Sequence, residues 1–301
     1  MEVRFLVDID PEQKAGLFNA VVARVACMPQ SVNYNLSYFD TATIRLAKKI
    51  LGIRAKEKKP HFELDGIVFA PLHVRADILY YLAKLIGPLI PIVFHRDSKR
   101  ILKMIGPGHY ILSAHWGITS GVLAHYICRQ TGERYVVTYH GSDINNLHRR
   151  SIWLRRIVLK SLRDSKTNIF VSKALLAKAR TLGYDKDNSI VIYNGVEKNK
   201  FASKKGNVGF KRICTTTEFF VGSPVVGFVG SMLPVKGADF LPNICREILA
   251  KEPNTKFLFA GDGELLGSIK SAVDKNKVVV LGQVDSEDIV AVMHLQQMDI
   301  C

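Results

Sequence analysis

The feature that most constrains this chain is a recurring short apolar run. VRFLV (3–7), GIVFA (66–70), HYILS (109–113), RYVVT (134–138), NIFVS (168–172) and SIVIY (189–193) come first. VVGFVG (225–230), KFLFAG (256–261) and KVVVLG (277–282) follow. Most are apolar throughout instead of alternating, the pattern of parallel strands buried on both faces. Helix-length segments separate them, at 41–51, 76–86, 147–163, 173–182, 237–251 and 286–297. Parallel strands need such crossovers, so the alternation predicts an α/β, doubly wound architecture. The rhythm breaks at 196–223, a mixed stretch of Lys, Gly, Ser and Thr that reads as a linker or irregular region. It divides the chain into a first domain, 1–195, and a second, 224–301.

Hydrophobic residues make up 48% of the sequence, enough for a buried core and too many for a mainly disordered chain. The net charge of +15 is unevenly placed. Residues 1–195 hold 29 Lys and Arg against 15 Asp and Glu; residues 196–301 hold 13 against 12. The first domain therefore carries almost all the excess, in clusters at 45–59, 96–103 and 149–166. In the last, Leu147, Leu154, Val158 and Leu162 form one helical stripe, and Arg149, Arg156, Lys160 and Arg163 fall largely on another. With Trp153 at the boundary, this suits a helix lying on an anionic membrane, and equally a surface helix packed on a sheet. No zinc-finger, RNA-recognition or other nucleic-acid motif accompanies the charge, which argues against a nucleic-acid partner.

The N-terminus MEVRFLVDIDPEQK has no apolar signal core, and the five cysteines are scattered and odd in number. Both predict a cytoplasmic chain with free thiols and no zinc site. The apolar stretch 78–94 contains Lys84, Gly87, Pro88 and Pro91, which favours a buried helix followed by a loop over a membrane span.

Four loops carry chemistry. In VVGFVGSMLPVKGADFL (225–241) a buried strand ends at Gly230, and a helix is expected near Gly237 with Lys236 at its start. Glycine-rich backbone and a lysine there can hold a phosphate, although an ordinary strand–loop–helix turn satisfies the pattern too. Gly261-Asp262-Gly263 follows the next strand, and Gly282 to Val284 the one after, with Ser286 as a helix N-cap. In the first domain His140-Gly141-Ser142-Asp143 ends a strand, where an imidazole can bond a sugar hydroxyl or a developing charge. Asp143 can orient that ring or cap the next helix. His115 and Trp116 in SAHWGITSG (113–121) close another strand, and Ser172 reads as an N-cap.

Taken together, AHWG (114–117), HGSD (140–143), VSKALL (171–176), IVIYNGVEKNKF (190–201), VGFVGSMLPVKG (226–237), FLFAGDGE (257–264), VVVLGQV (278–284) and MDIC (298–301) resemble the family 4 retaining glycosyltransferases of the GT-B fold. The resemblance implies two Rossmann-like domains facing a cleft, with a nucleotide-sugar donor on the second and a glycan or lipid-linked acceptor on the first. It implies metal-independent transfer with no permanently bound cofactor, in cell-envelope polysaccharide or lipopolysaccharide synthesis. Lys236 takes the diphosphate-binding role beside Gly230 and Ser231. Gly261, Asp262, Gly263 and Val284 flank the nucleotide, and His140 matches the active-site histidine near the transferred sugar. Gly16, after the first strand, sits where the family often has a glycine-rich loop.

Two departures stand out. Ser231 occupies a place where many relatives carry Arg, which moves charge neutralisation onto Lys236. The sequence ends at Asp299-Ile300-Cys301, before the family's Pro-Ser and Glu-x7-Glu segments, so a truncated second domain is expected. Both departures also suit a non-catalytic GT-B scaffold or partner protein. A nucleotide-sugar epimerase is a further alternative on this fold, though HGSD and NGVEKNKF resemble the transferases better.

Overall fold

Glu2–Val7 (β1) lies near the middle of an eight-stranded sheet, hydrogen-bonded to a strand on either side. The computed structural model describes residues 2–7, 16–28, 33–40, 62–64, 67–73, 82, 86–195, 217–284, 289–290 and 292–293. The chain divides into two compact units, Met1–Gly195 and Val196–Cys301. Most of the 196–223 stretch lies outside the described residues, as do the helical segment expected at 41–51, nearly all of that at 76–86, and Ser286.

In the first unit the strands after β1 are Asn33–Asp40 (β2), Phe62–Leu64 (β3), Ile67–His73 (β4), Tyr110–His115 (β5), Arg134–Tyr139 (β6), Thr167–Phe170 (β7) and Ser189–Val191 (β8). Their order is β3-β4-β2-β1-β5-β6-β7-β8, all pairs parallel except β3 with β4. The helices are Gly16–Ala26 (α1), Ile90–Ile105 (α2), Val122–Thr131 (α3), Ser142–Asn145 (α4), Ile152–Asp164 (α5) and Lys173–Thr181 (α6). Where a loop is expected toward the end of 78–94, the chain instead makes a 3-10 turn at Gly87–Leu89 and begins α2. Pro91 occupies its first turn, where a missing N–H costs no intrahelical bond. Arg4 on β1 closes the other end, donating to the Ile105 and Gly106 carbonyls at 2.5 and 3.0 Å.

The 149–166 cluster resolves into a 3-10 turn at Leu147–Arg149 and then α5. The Ser151 hydroxyl caps α5 by accepting the Leu154 amide at 3.3 Å. Leu147, Val158 and Leu162 are fully buried and Leu154 half-buried, so the predicted apolar stripe faces the core. Each such aliphatic side chain stabilises the unit by about 1.5–3 kcal/mol. Ser172 caps α6 by accepting the Leu175 amide at 3.1 Å, as its position predicts.

Among the described residues of the second unit, Thr217–Phe220 (α7) comes first. Val225–Val229 (β9), Lys256–Ala260 (β10) and Val278–Gly282 (β11) form a parallel sheet of order β11-β10-β9. Leu241–Lys251 (α8) and Leu266–Ala272 (α9) follow β9 and β10. Phe257, Phe259, Met232, Leu241 and Ile269 fill one face; Phe220 and Leu258 fill the other. Phe220 brings the end of the 196–223 stretch into this core.

Candidate functional site

The carboxyl ends of β1, β5 and β6 lie side by side, because these strands are parallel neighbours with Val7 opposite His115 and His115 opposite Thr138. That register sets the two strand-end histidines together. His115 Nδ1 and His140 Nε2 are 3.1 Å apart, and the rings stack with centroids 5.3 Å apart. One nitrogen donates and the other accepts, so the accepting ring is neutral and the two rings are never charged together. Burial holds His115 well below the usual imidazole range, with His140 and Arg24 adding to it. Burial, helped by Arg24, lowers His140 to about 4.

Asp143 forms no hydrogen bond to the imidazole, but its side chain does accept an amide of α4's first turn, that of Ile144. Its buried carboxylate accepts main-chain amides: Gly117 at 3.0 Å, Gly141 at 2.9 Å, Ile144 at 3.1 Å and His140 at 3.4 Å. Burial raises its pKa against the pull of those donors. It thereby ties the loop after β5 to the loop after β6. The first of those loops is unusual. Trp116 has φ +83°, rare for a bulky side chain, and a π-helical turn follows at Gly117–Gly121. A Cβ on Gly117 would fall 2.4 Å from the Tyr139 ring, so only glycine passes there.

One member of this group carries no sequence motif. Arg24, in the last turn of α1, donates to Thr138 Oγ1 at 3.1 Å and to Asn194 Oδ1 at 3.4 Å. Its guanidinium is close enough to depress both histidines. Gly16 is the first residue of α1, and the loop before it lies outside the described residues.

In the second unit the three strand-end loops interlock through main chain alone. Gly230 N donates to Ala260 O, Met232 N to Asp262 O, Leu265 N to Met232 O and Gly261 N to Gly282 O, at 2.7–3.1 Å. A Cβ on Gly261 would lie 1.8 Å from Gly230 O, and one on Gly263 2.6 Å from Met232 O. The glycines are thus required by backbone crossing. The Asp262 carboxylate folds back onto the Gly263 amide at 2.7 Å. Ser231 and Lys236 are exposed, and half-buried Val284 packs against the cluster around Phe220 and Leu258.

The expected helix start near Gly237 is not an α-helix terminus. Pro234–Lys236 and Ala238–Phe240 are separate 3-10 turns, split by left-handed Gly237 at φ +75°, and α8 begins at Leu241. Lys236 is therefore a placed point charge without a helix dipole at its position. Gly230, Ser231, Lys236, Gly261, Asp262 and Gly263 share the carboxyl edge of one sheet; His140 shares the other sheet's edge with His115 and Arg24.

Residues 56–200 match the model of Glycosyltransferase Family 4, and residues 223–301 that of Glycosyl transferases group 1. A Bacillus subtilis (strain 168) glycosyltransferase, TuaC, assigned by its name to teichuronic acid biosynthesis, is 26% identical over 259 residues. That alignment covers 83% of this chain, which spans 60% of the relative's length. Among solved structures, Anabaena Alr3699/HepE in complex with UDP superposes with a TM-score of 0.62 at 16% identity, covering 98% of this chain and 72% of that one. Sucrose-phosphate synthase (tll1590) from Thermosynechococcus elongatus gives 0.65 at 14% identity, covering 98% and 74%. With two parallel-sheet α/β units, and family matches over about three quarters of the sequence, the chain belongs to the family 4, group 1 glycosyltransferases of the GT-B fold.

Proposed function

We propose that this chain acts in a retaining transfer of a sugar from a nucleotide-diphosphate donor to a glycan or lipid-linked acceptor, in cell-envelope polysaccharide synthesis. The observation that carries the reading is the locked trio of loops at Gly230, Gly261 and Gly282, with Lys236 exposed beside them. Such a platform offers rigid backbone to a nucleotide and one cation to its diphosphate. Breaking the anomeric bond builds negative charge on the leaving diphosphate, and a preorganised cation there supplies several kcal/mol. Lys236 supplies that cation in a metal-independent transfer. His140, hydrogen-bonded to His115, offers a ring nitrogen to a sugar hydroxyl. The HepE complexes with UDP and UDP-glucose favour uridine as the base, and the name of the Bacillus relative favours the envelope role.

The basic first unit serves as a peripheral face toward an anionic membrane on the cytoplasmic side. No helix among the described residues is long and apolar enough to cross a membrane. Ile86, Ile92, Ile152 and Trp153 are nevertheless exposed, Trp153 lies against Gly87, and the Arg156 guanidinium sits 5.7 Å over the indole. Arg149, Arg150 and Lys160 are exposed on the same part of the chain. Apolar tips ringed by cations suit a headgroup layer.

The deciding experiment is thermal stabilisation of the chain by a panel of nucleotide-sugars, with Lys236→Ala beside the wild type. UDP-glucose is expected to stabilise the wild type and to stabilise Lys236→Ala much less. If no nucleotide-sugar raises the wild-type midpoint, the donor-site reading fails.

A further inference from the structure

We infer that Arg24, with His140 and Asn194 around it, forms a subsite for an oxyanion, a phosphate or carboxylate group carried by the acceptor. The guanidinium is half-buried and donates two hydrogen bonds, to Thr138 Oγ1 at 3.1 Å and Asn194 Oδ1 at 3.4 Å. Both partners are neutral oxygens. A guanidinium has five N–H donors, so most of the fork is unspent. Among the described residues no carboxylate stands within ion-pair distance of Arg24. Burial alone perturbs it, and it perturbs it against its charge. A partly desolvated cation without a counter-ion is costly, and structures keep one where a ligand supplies the missing charge.

Among the described residues no side chain serves as an internal counter-ion, which leaves their group one net positive charge. Asp143, the buried carboxylate of the adjoining loops, has both oxygens committed to main-chain amides of Gly117, Gly141, Ile144 and His140. His115 and His140 are a neutral hydrogen-bonded pair. The whole group sits at the carboxyl edge of parallel strands, where sheets of this type take their ligands. An incoming oxyanion would meet the Arg24 fork and imidazole and amide dipoles, and planar bidentate recognition of phosphate or carboxylate is what the fork does best. The assignment of the occupant to the acceptor rests on the transferase reading above; the oxyanion chemistry does not.

The test titrates the whole chain with inorganic phosphate and, separately, with acetate. Affinity is read by calorimetry and the histidine ring signals by NMR. Wild type is expected to bind at least one of the two, with the His115 and His140 signals moving as it fills. Arg24→Gln should weaken that binding by about tenfold or more, and Arg24→Lys by less. Circular dichroism checks each fold. Thr138→Val, which removes the hydroxyl that holds the guanidinium, is the second variant and should also weaken binding. A response to phosphate alone identifies a phosphorylated acceptor; a response to acetate, alone or with phosphate, identifies a carboxylated one. No response to either anion, or a response undiminished in folded Arg24→Gln and Thr138→Val, overturns the subsite. UDP-glucose binding is read separately. Its absence together with an Arg24-dependent anion response would defeat the transferase reading and leave the subsite standing.

Discussion

The Gly117 amide donates to Asp143 Oδ2 at 3.0 Å, across 26 residues of sequence, and so fastens the turn after β5 to the turn after β6. Removing the carboxylate would strand several buried amides at once. Asp143→Ala is expected to destabilise the chain by about 3 kcal/mol, within the range for unmade buried hydrogen bonds. Asp143→Asn, which keeps one acceptor oxygen, should lose less. Urea unfolding measures both; a loss for Asp143→Ala well below 1 kcal/mol would show that these donors are satisfied some other way.

Backbone crossing in the second unit separates two glycines with opposite expectations. A Cβ at Gly261 meets Gly230 O at 1.8 Å, with φ at +144° as well. Gly261→Ala should therefore cost about 3 kcal/mol or more and abolish nucleotide-sugar binding. Gly267, inside α9, has nothing within 4 Å of its Cβ position. Gly267→Ala should stabilise by about 0.5–1 kcal/mol through helix propensity. Equal effects of the two changes would contradict the crossing.

Three histidines make the fold sensitive to acid. His140 and His125 are each lowered to about 4, and His115 well below its ordinary value, in every case chiefly by burial. His125 lies 3.3 Å from Tyr135 Oη and 3.5 Å from Asp164 Oδ2, and burial outweighs that carboxylate. The unfolded chain binds their protons near 6.5 and the folded chain does not. Stability is complete above that value and falls as pH drops toward 4, by about 1.4 kcal/mol per pH unit for each histidine. Urea midpoints between about pH 7 and pH 4.5 read this directly; a flat profile would mean that the rings protonate in place.

Membrane contact makes a salt-dependent prediction. The chain should bind vesicles containing anionic lipid more strongly than neutral ones, and the difference should shrink as salt is raised. Replacing exposed Ile152 and Trp153 by Ser should weaken binding with no loss of fold. Equal binding to anionic and neutral vesicles counts against the membrane face.

The nine apolar runs all coincide with strands of the sheets; β1 and β10 are buried nearly throughout, whereas β8, β9 and β11 are only half-buried or partly exposed despite the same apolar composition. β2 does not share that composition: NYNLSYFD interleaves Asn, Ser and Asp with its apolar positions. α2 was hidden by its prolines, which sit in first turns where they do no harm. His115 and His140 were each legible as strand-end histidines, but their contact depends on β5 and β6 being neighbours. Arg24 was invisible for a different reason. GLFNAVVARVA reads the same whether its arginine meets water or a site, and only tertiary structure brings it to Thr138.

The position of β1 at the centre of the first sheet reaches beyond the site. Six residues at one end of the sequence hold β2 on one side and β5 on the other, with Val3, Phe5, Leu6 and Val7 all buried. Trimming those residues would split the sheet down its middle and open two sticky inner edges. Their partner β5 is also more than a hundred residues away in sequence. The central pairing therefore waits until β5 has left the ribosome, and β1 is flanked on both sides only after that delay.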